Sequence, residues 1–183
     1  PYGKLTIIQG DPGEGKTTLV LNIAAVLSKG QGLDEHMKPE QPLHIIYQTA
    51  EDGLADTVKP RLEKAQADCN NIFVIDETDV SLSMLDERIE QAILKEKAKL
   101  MILDPIQAYL GAEMDMNRAN EARDMTKHLG QVAERTGCAI VLIGYMNKNA
   151  GGKVFGSRRQ SPQAGRFRGS QDRYSRCRSR AFW

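Results

Sequence analysis

Gly10-Asp11-Pro12-Gly13-Glu14-Gly15-Lys16-Thr17 fills every fixed position of the pattern G-x-x-x-x-G-K-[ST]. At ordinary residue frequencies such a match arises by chance in roughly one chain in a hundred, so its flanks have to decide what it means. Residues 5–9 form a short apolar run before it. After it, Val20, Ile23, Ala24 and Leu27 recur on one helical face until Gly30. Strand, glycine loop and helix in that order aim successive backbone amides and a helix N-terminus at one point, which suits a phosphate group. Gly10, Gly13 and Gly15 allow the backbone to come close, and Asp11, Pro12 and Glu14 occupy the variable positions. Lys16 offers an ammonium to the β- and γ-phosphates and Thr17 a hydroxyl to Mg²⁺, with Thr18 next along the helix. ATP and Mg²⁺ are therefore the expected ligands, against the plainer alternative of a glycine turn that merely joins strand to helix.

Outward from this segment, short apolar runs alternate with amphipathic stretches. Strands are predicted at residues 43–49, 72–75, 100–103 and 139–145. Helices are marked by Leu54, Val58, Leu62 and Ala65, where Pro60 must bend or restart the helix. Two more are marked by Leu85, Ile89, Ala92 and Ile93, and by Ala122, Met125, Leu129 and Val132 up to Gly137. This is the pattern of an α/β fold, a mostly parallel sheet flanked by helices.

The 183 residues, 40% of them hydrophobic, suffice for one sizeable core. A mean hydropathy of −0.46, no apolar run of spanning length and no signal-like opening predict a cytoplasmic chain without a membrane partner. Cys69, Cys138 and Cys177 are too scattered for a disulfide framework or zinc site, and His36, His44 and His128 lack ligand spacing. Charge divides the chain. Of 25 basic and 24 acidic residues, nine basic and one acidic lie in 153–183, leaving 16 against 23 before them, so the net is −7 for residues 1–152 and +8 for the remainder. The basic stretch also holds three of the four Phe and the only Trp.

Two acids compete to order magnesium. Asp104 ends the 100–103 run and precedes Pro105, whereas Asp76 ends the 72–75 run and is followed by Glu77. Residues 3 to about 152 resemble the RecA-like P-loop ATPases, especially the RepA-like hexameric replicative helicases and related phage or plasmid replication ATPases. Ile45-Ile46-Tyr47-Gln48-Thr49-Ala50-Glu51-Asp52-Gly53 resembles that group's acidic second motif, with Pro60-Arg61-Leu62 beyond it, and Asp104-Pro105-Ile106-Gln107 its Walker B strand end. Ile143-Gly144-Tyr145-Met146-Asn147-Lys148 resembles its sensor strand, although the group usually carries Gln or His where this chain has Tyr145. The resemblance implies Glu51 as the base that activates water, with helix capping as the alternative. It also implies Asp104 as the magnesium partner and Tyr145, Asn147 and Lys148 as sensor. ATP hydrolysis, DNA replication, self-association into rings and single-stranded DNA as partner follow from the same resemblance. A non-motor ATP-dependent switch in replication or partition, or a truncated form that binds ATP without hydrolysing it, is the alternative.

Residues 1–152 are thus read as the ATPase core and 153–183 as a basic irregular tail that leaves the C-terminal part incomplete. The group continues with an Ile-Asp-Ile-Ala-Ala-Ala-Ala-Arg type of segment. Codons for Asp172-Arg173-Tyr174-Ser175-Arg176-Cys177-Arg178-Ser179-Arg180, read one base later, permit that string. A frameshifted, non-native tail is the favoured reading; a nucleic-acid-binding arm and an authentic disordered tail are the alternatives.

Overall fold

The computed structural model describes residues 1–34, 38–50, 53–77, 80–110 and 119–145. The predicted tail at 153–183 lies outside the described residues. Five strands, β1 (Leu5–Gly10), β2 (Ile45–Thr49), β3 (Ile72–Phe73), β4 (Leu100–Asp104) and β5 (Ala139–Tyr145), form one all-parallel sheet in the order β1-β5-β4-β2-β3. Helices α1 (Lys16–Ser28), α2 (Lys59–Lys64), α3 (Glu87–Glu96) and α4 (Ala119–Thr136) connect them.

Two apolar layers follow from strand alternation. On one face Val20, Leu21 and Ala24 of α1 and Leu62 of α2 pack on Ile45, Tyr47, Leu100, Ile102 and Ile143. On the other, Ile89 and Ile93 of α3 and Met125, Leu129 and Val132 of α4 pack on Ile46, Met101, Leu103, Ile140 and Leu142. A strand covered on both faces needs apolar residues at consecutive positions, which is why β2, β4 and β5 read as continuous runs rather than alternating ones.

Differences from the predicted boundaries have local causes. The strand at 43–49 begins only at Ile45, because the Leu43 N–H is spent on the Leu27 carbonyl at 3.0 Å, at the end of α1. Leu85 is not part of α3: the Asp86 carboxylate accepts from the Arg88 N–H at 2.9 Å, so the helix starts after that cap and Leu85 is left exposed. The stretch beginning at Leu54 opens as a π-helical turn, Leu54–Val58, and passes into α2 where Pro60 sits in the first turn.

The predicted strand 72–75 pairs as backbone only over Ile72–Phe73. Beyond that point the Gln48 side chain takes over from the β2 backbone. Its Oε1 accepts from the Ile75 N–H at 2.9 Å and its Nε2 donates to the Ile75 carbonyl at 3.0 Å. A carboxamide presents the same donor and acceptor as a peptide group, so the ladder is completed by a side chain.

Among the described residues no helix is long and apolar enough to cross a membrane. All strands run parallel, so the ends of β1, β2, β4 and β5 meet at one edge of the sheet, where ligands bind in open α/β folds. Register sets Gly10 beside Tyr145 and Thr49 beside Asp104 along that edge.

Candidate nucleotide site

The loop between β1 and α1 is built around two positive backbone angles, Gly13 at φ 86° and Gly15 at φ 82°. Residues with a Cβ avoid this region, so the pair of glycines lets the chain turn sharply into α1. The Glu14 carboxylate accepts from the Asp11 N–H at 2.9 Å and the Glu14 N–H reaches the Asp11 carbonyl at 3.4 Å, which closes the turn on itself. Pro12 stands exposed within it. Lys16 folds back into the loop, its Nζ donating to the carbonyls of Gly10 at 3.0 Å and Asp11 at 2.7 Å, and it is only 9% exposed. Thr18 faces outward, and its carbonyl accepts from Asn22.

Thr17 and Asp104 meet. The Thr17 hydroxyl donates to Asp104 Oδ2 at 2.7 Å, and the Tyr47 hydroxyl donates to the same oxygen at 3.0 Å. Leu100, Ile102 and Asp104 alternate onto the α1 face of β4, and Ile45 and Tyr47 share that face on β2. Asp104 is 4% exposed, so two charge-assisted hydrogen bonds offset the cost of burying its carboxylate.

Asp76 and Glu77 are used differently. Both carboxylate oxygens of Glu77 are engaged on the opposite face, one with Gln48 Nε2 and the other with the Leu82 N–H at 3.0 Å. The Asp76 carbonyl accepts from Arg88 at 3.1 Å, and Arg88 also binds the carbonyls of Val80 and Ser81. That loop is therefore braced by α3.

Tyr145 ends β5 beside the loop, with its ring centroid 5.1 Å from Lys16 Nζ. Gln107 Nε2 donates to the Tyr145 carbonyl at 3.3 Å. Glu51, Asn147 and Lys148 lie outside the described residues. Tyr47 was missed by sequence reasoning. Its signal was available: a buried phenol in an otherwise aliphatic strand needs a partner for its hydroxyl.

The donor set fits a magnesium nucleotide. A hydroxyl and a carboxylate within hydrogen-bond reach are hard oxygen ligands of the kind Mg²⁺ takes, directly or through water. The adjacent ammonium and the N-terminus of α1 suit phosphate.

Residues 1–151 match the family model described as an AAA domain. The DNA repair protein RadA of Halalkalibacterium halodurans is 30% identical over 148 residues, 80% of this chain and 28% of that protein. RadA of Escherichia coli is 29% identical over 157 residues, 83% of this chain and 30% of that protein. RadA of Bacillus subtilis is 27% identical over 158 residues, 85% and 30% respectively. The chain thus spans less than a third of the length of these relatives. With a family match that covers most of its residues and a parallel sheet that carries the glycine loop on β1, the chain belongs to the AAA domain family as a RecA-like P-loop ATPase core.

Proposed function

We propose that this chain is the ATP-hydrolysing core of a DNA-acting protein that assembles as a ring on single-stranded DNA, in the manner of the hexameric helicases its motifs resemble. The observation that carries the reading is the 2.7 Å hydrogen bond from Thr17 to Asp104, which joins the phosphate loop to a buried carboxylate at the end of β4. Lys16 and the loop amides would bind the β- and γ-phosphates, and Thr17 and Asp104 would hold magnesium. A magnesium ion held there would supply charge neutralisation of the phosphates and polarisation of the γ-phosphoryl group.

Glu51 takes the proton of the attacking water as the water oxygen bonds to the γ-phosphorus and the bond to the bridging oxygen breaks, releasing ADP. Its support is the resemblance of residues 45–53 to the acidic motif, and its position two residues after Thr49, the register partner of Asp104. The DNA assignment is supported by relatives named as DNA repair proteins. Residues 153–183 are read as off-frame, and ring ATPases draw on an arginine from the neighbouring subunit. Such an arginine is worth roughly 10³ to 10⁵ in turnover, so a chain that acts without it binds ATP well and hydrolyses it slowly.

An ATPase assay with and without single-stranded DNA, on wild type and Glu51→Gln, tests the reading. Slow turnover by wild type and none by Glu51→Gln, with nucleotide binding kept in both, is the expected outcome. Undiminished turnover in Glu51→Gln removes Glu51 from its role. Brisk DNA-stimulated turnover by wild type contradicts the off-frame tail.

A further inference from the structure

A lysine as buried as Lys16 needs its charge met in the interval between nucleotide release and rebinding. Two carbonyls do part of this, those of Gly10 and Asp11. The third partner is an aromatic face, that of Tyr145, with its centroid 5.1 Å from Nζ. The sheet fixes the ring there: Tyr145 is the register partner of Gly10, and Gln107 holds the Tyr145 carbonyl at 3.3 Å. The pairing therefore links the first residue of the phosphate loop, its lysine and the end of β5.

We propose that Tyr145 is a positioning residue whose ring stabilises the Lys16 ammonium in the nucleotide-free cradle and so eases nucleotide release. The inference rests on the reading of Lys16 as a phosphate ligand. A ring face attracts a cation through its quadrupole, and a phosphate beside the ammonium neutralises much of the charge that the ring sees. The attraction is stronger before binding than after it. A contact that favours the free state over the bound state lowers affinity by that difference. The hydroxyl has no part in this effect, which separates it from a sensor that hydrogen-bonds the γ-phosphate.

The test is dissociation of a fluorescent N-methylanthraniloyl ADP with Mg²⁺ from the full chain, followed by stopped flow. Tyr145→Leu is expected to release the nucleotide about two- to fivefold more slowly and bind it correspondingly tighter, the size of one cation–π contact. Tyr145→Phe is expected to match wild type. Mono-, di- and trifluorophenylalanine at position 145 empty the ring face stepwise at nearly constant shape, and should move release toward the Leu value in that order. This series decides the matter even if the Leu variant does not fold. A flat series with normal binding by wild type overturns this inference alone, as does Tyr145→Phe behaving like Tyr145→Leu. No binding by wild type overturns the proposed function, and this inference with it.

Discussion

The Thr17 hydroxyl donates to Asp104 Oδ2 at 2.7 Å across 87 positions of sequence, so the phosphate loop and the end of β4 are fastened to each other. Asp104→Asn keeps an oxygen that can accept from Thr17 and Tyr47 but removes the charge. Nucleotide binding should persist while hydrolysis falls about 10²- to 10³-fold, the usual effect of losing one electrostatic stabiliser. Steady-state turnover checks this, and a loss of less than tenfold would remove Asp104 from the chemistry.

Tyr47→Phe deletes a buried donor to the same carboxylate. Hydrogen bonds to charged groups contribute about 1.5–3 kcal/mol, and Thr17 still serves Asp104, so a loss of about 1–2 kcal/mol in urea unfolding is expected. Unchanged stability would show that the phenol contributes only its ring.

Gln48→Leu preserves bulk but strips Ile75 of partners for both its N–H and its carbonyl. Each buried peptide group left unsatisfied costs about 1–3 kcal/mol, so destabilisation of about 2–5 kcal/mol is expected. Denaturant unfolding and amide exchange at Ile75 measure it. An Ile75 amide as protected as in wild type would show that the backbone pairs without Gln48.

Asp86 caps α3, and its hydrogen bonds with the Arg88 guanidinium hold its carboxyl below the ordinary 3.8. A carboxylate with a depressed folded pKa stabilises the fold above its unfolded pKa and loses that contribution as pH falls through the folded value. Asp86→Ala should cost about 1 kcal/mol at neutral pH. The gap in Tm between wild type and variant should narrow as pH drops below about 4. A gap that stays constant down to pH 2 would contradict the assignment.

How much of this was legible in the sequence varies by residue. Gly10 to Thr17 could be read directly because phosphate binding constrains residue type at fixed spacing. Residues 100–103 and 139–145 could be read because burial on both faces leaves a continuous apolar signature. The end of β3 was misread because Ile72 to Ile75 has the composition of a strand, while the pairing of Ile75 depends on a side chain 27 positions away. The choice between Asp104 and Asp76 could not be made from spacing, since both close an apolar run. The resemblance of residues 104–107 to a Walker B strand end favoured Asp104, and in three dimensions Asp104 meets Thr17, whereas Asp76 and Glu77 are engaged by Arg88 and Gln48.

Titration calorimetry of Mg-ATP into wild type and Lys16→Ala tests the central claim most directly, because Lys16 is the one cation folded into the glycine loop among the described residues. Saturable one-to-one binding to wild type, weakened about a hundredfold or more in Lys16→Ala, is the expected result. No binding to wild type, or equal binding to both proteins, would contradict it.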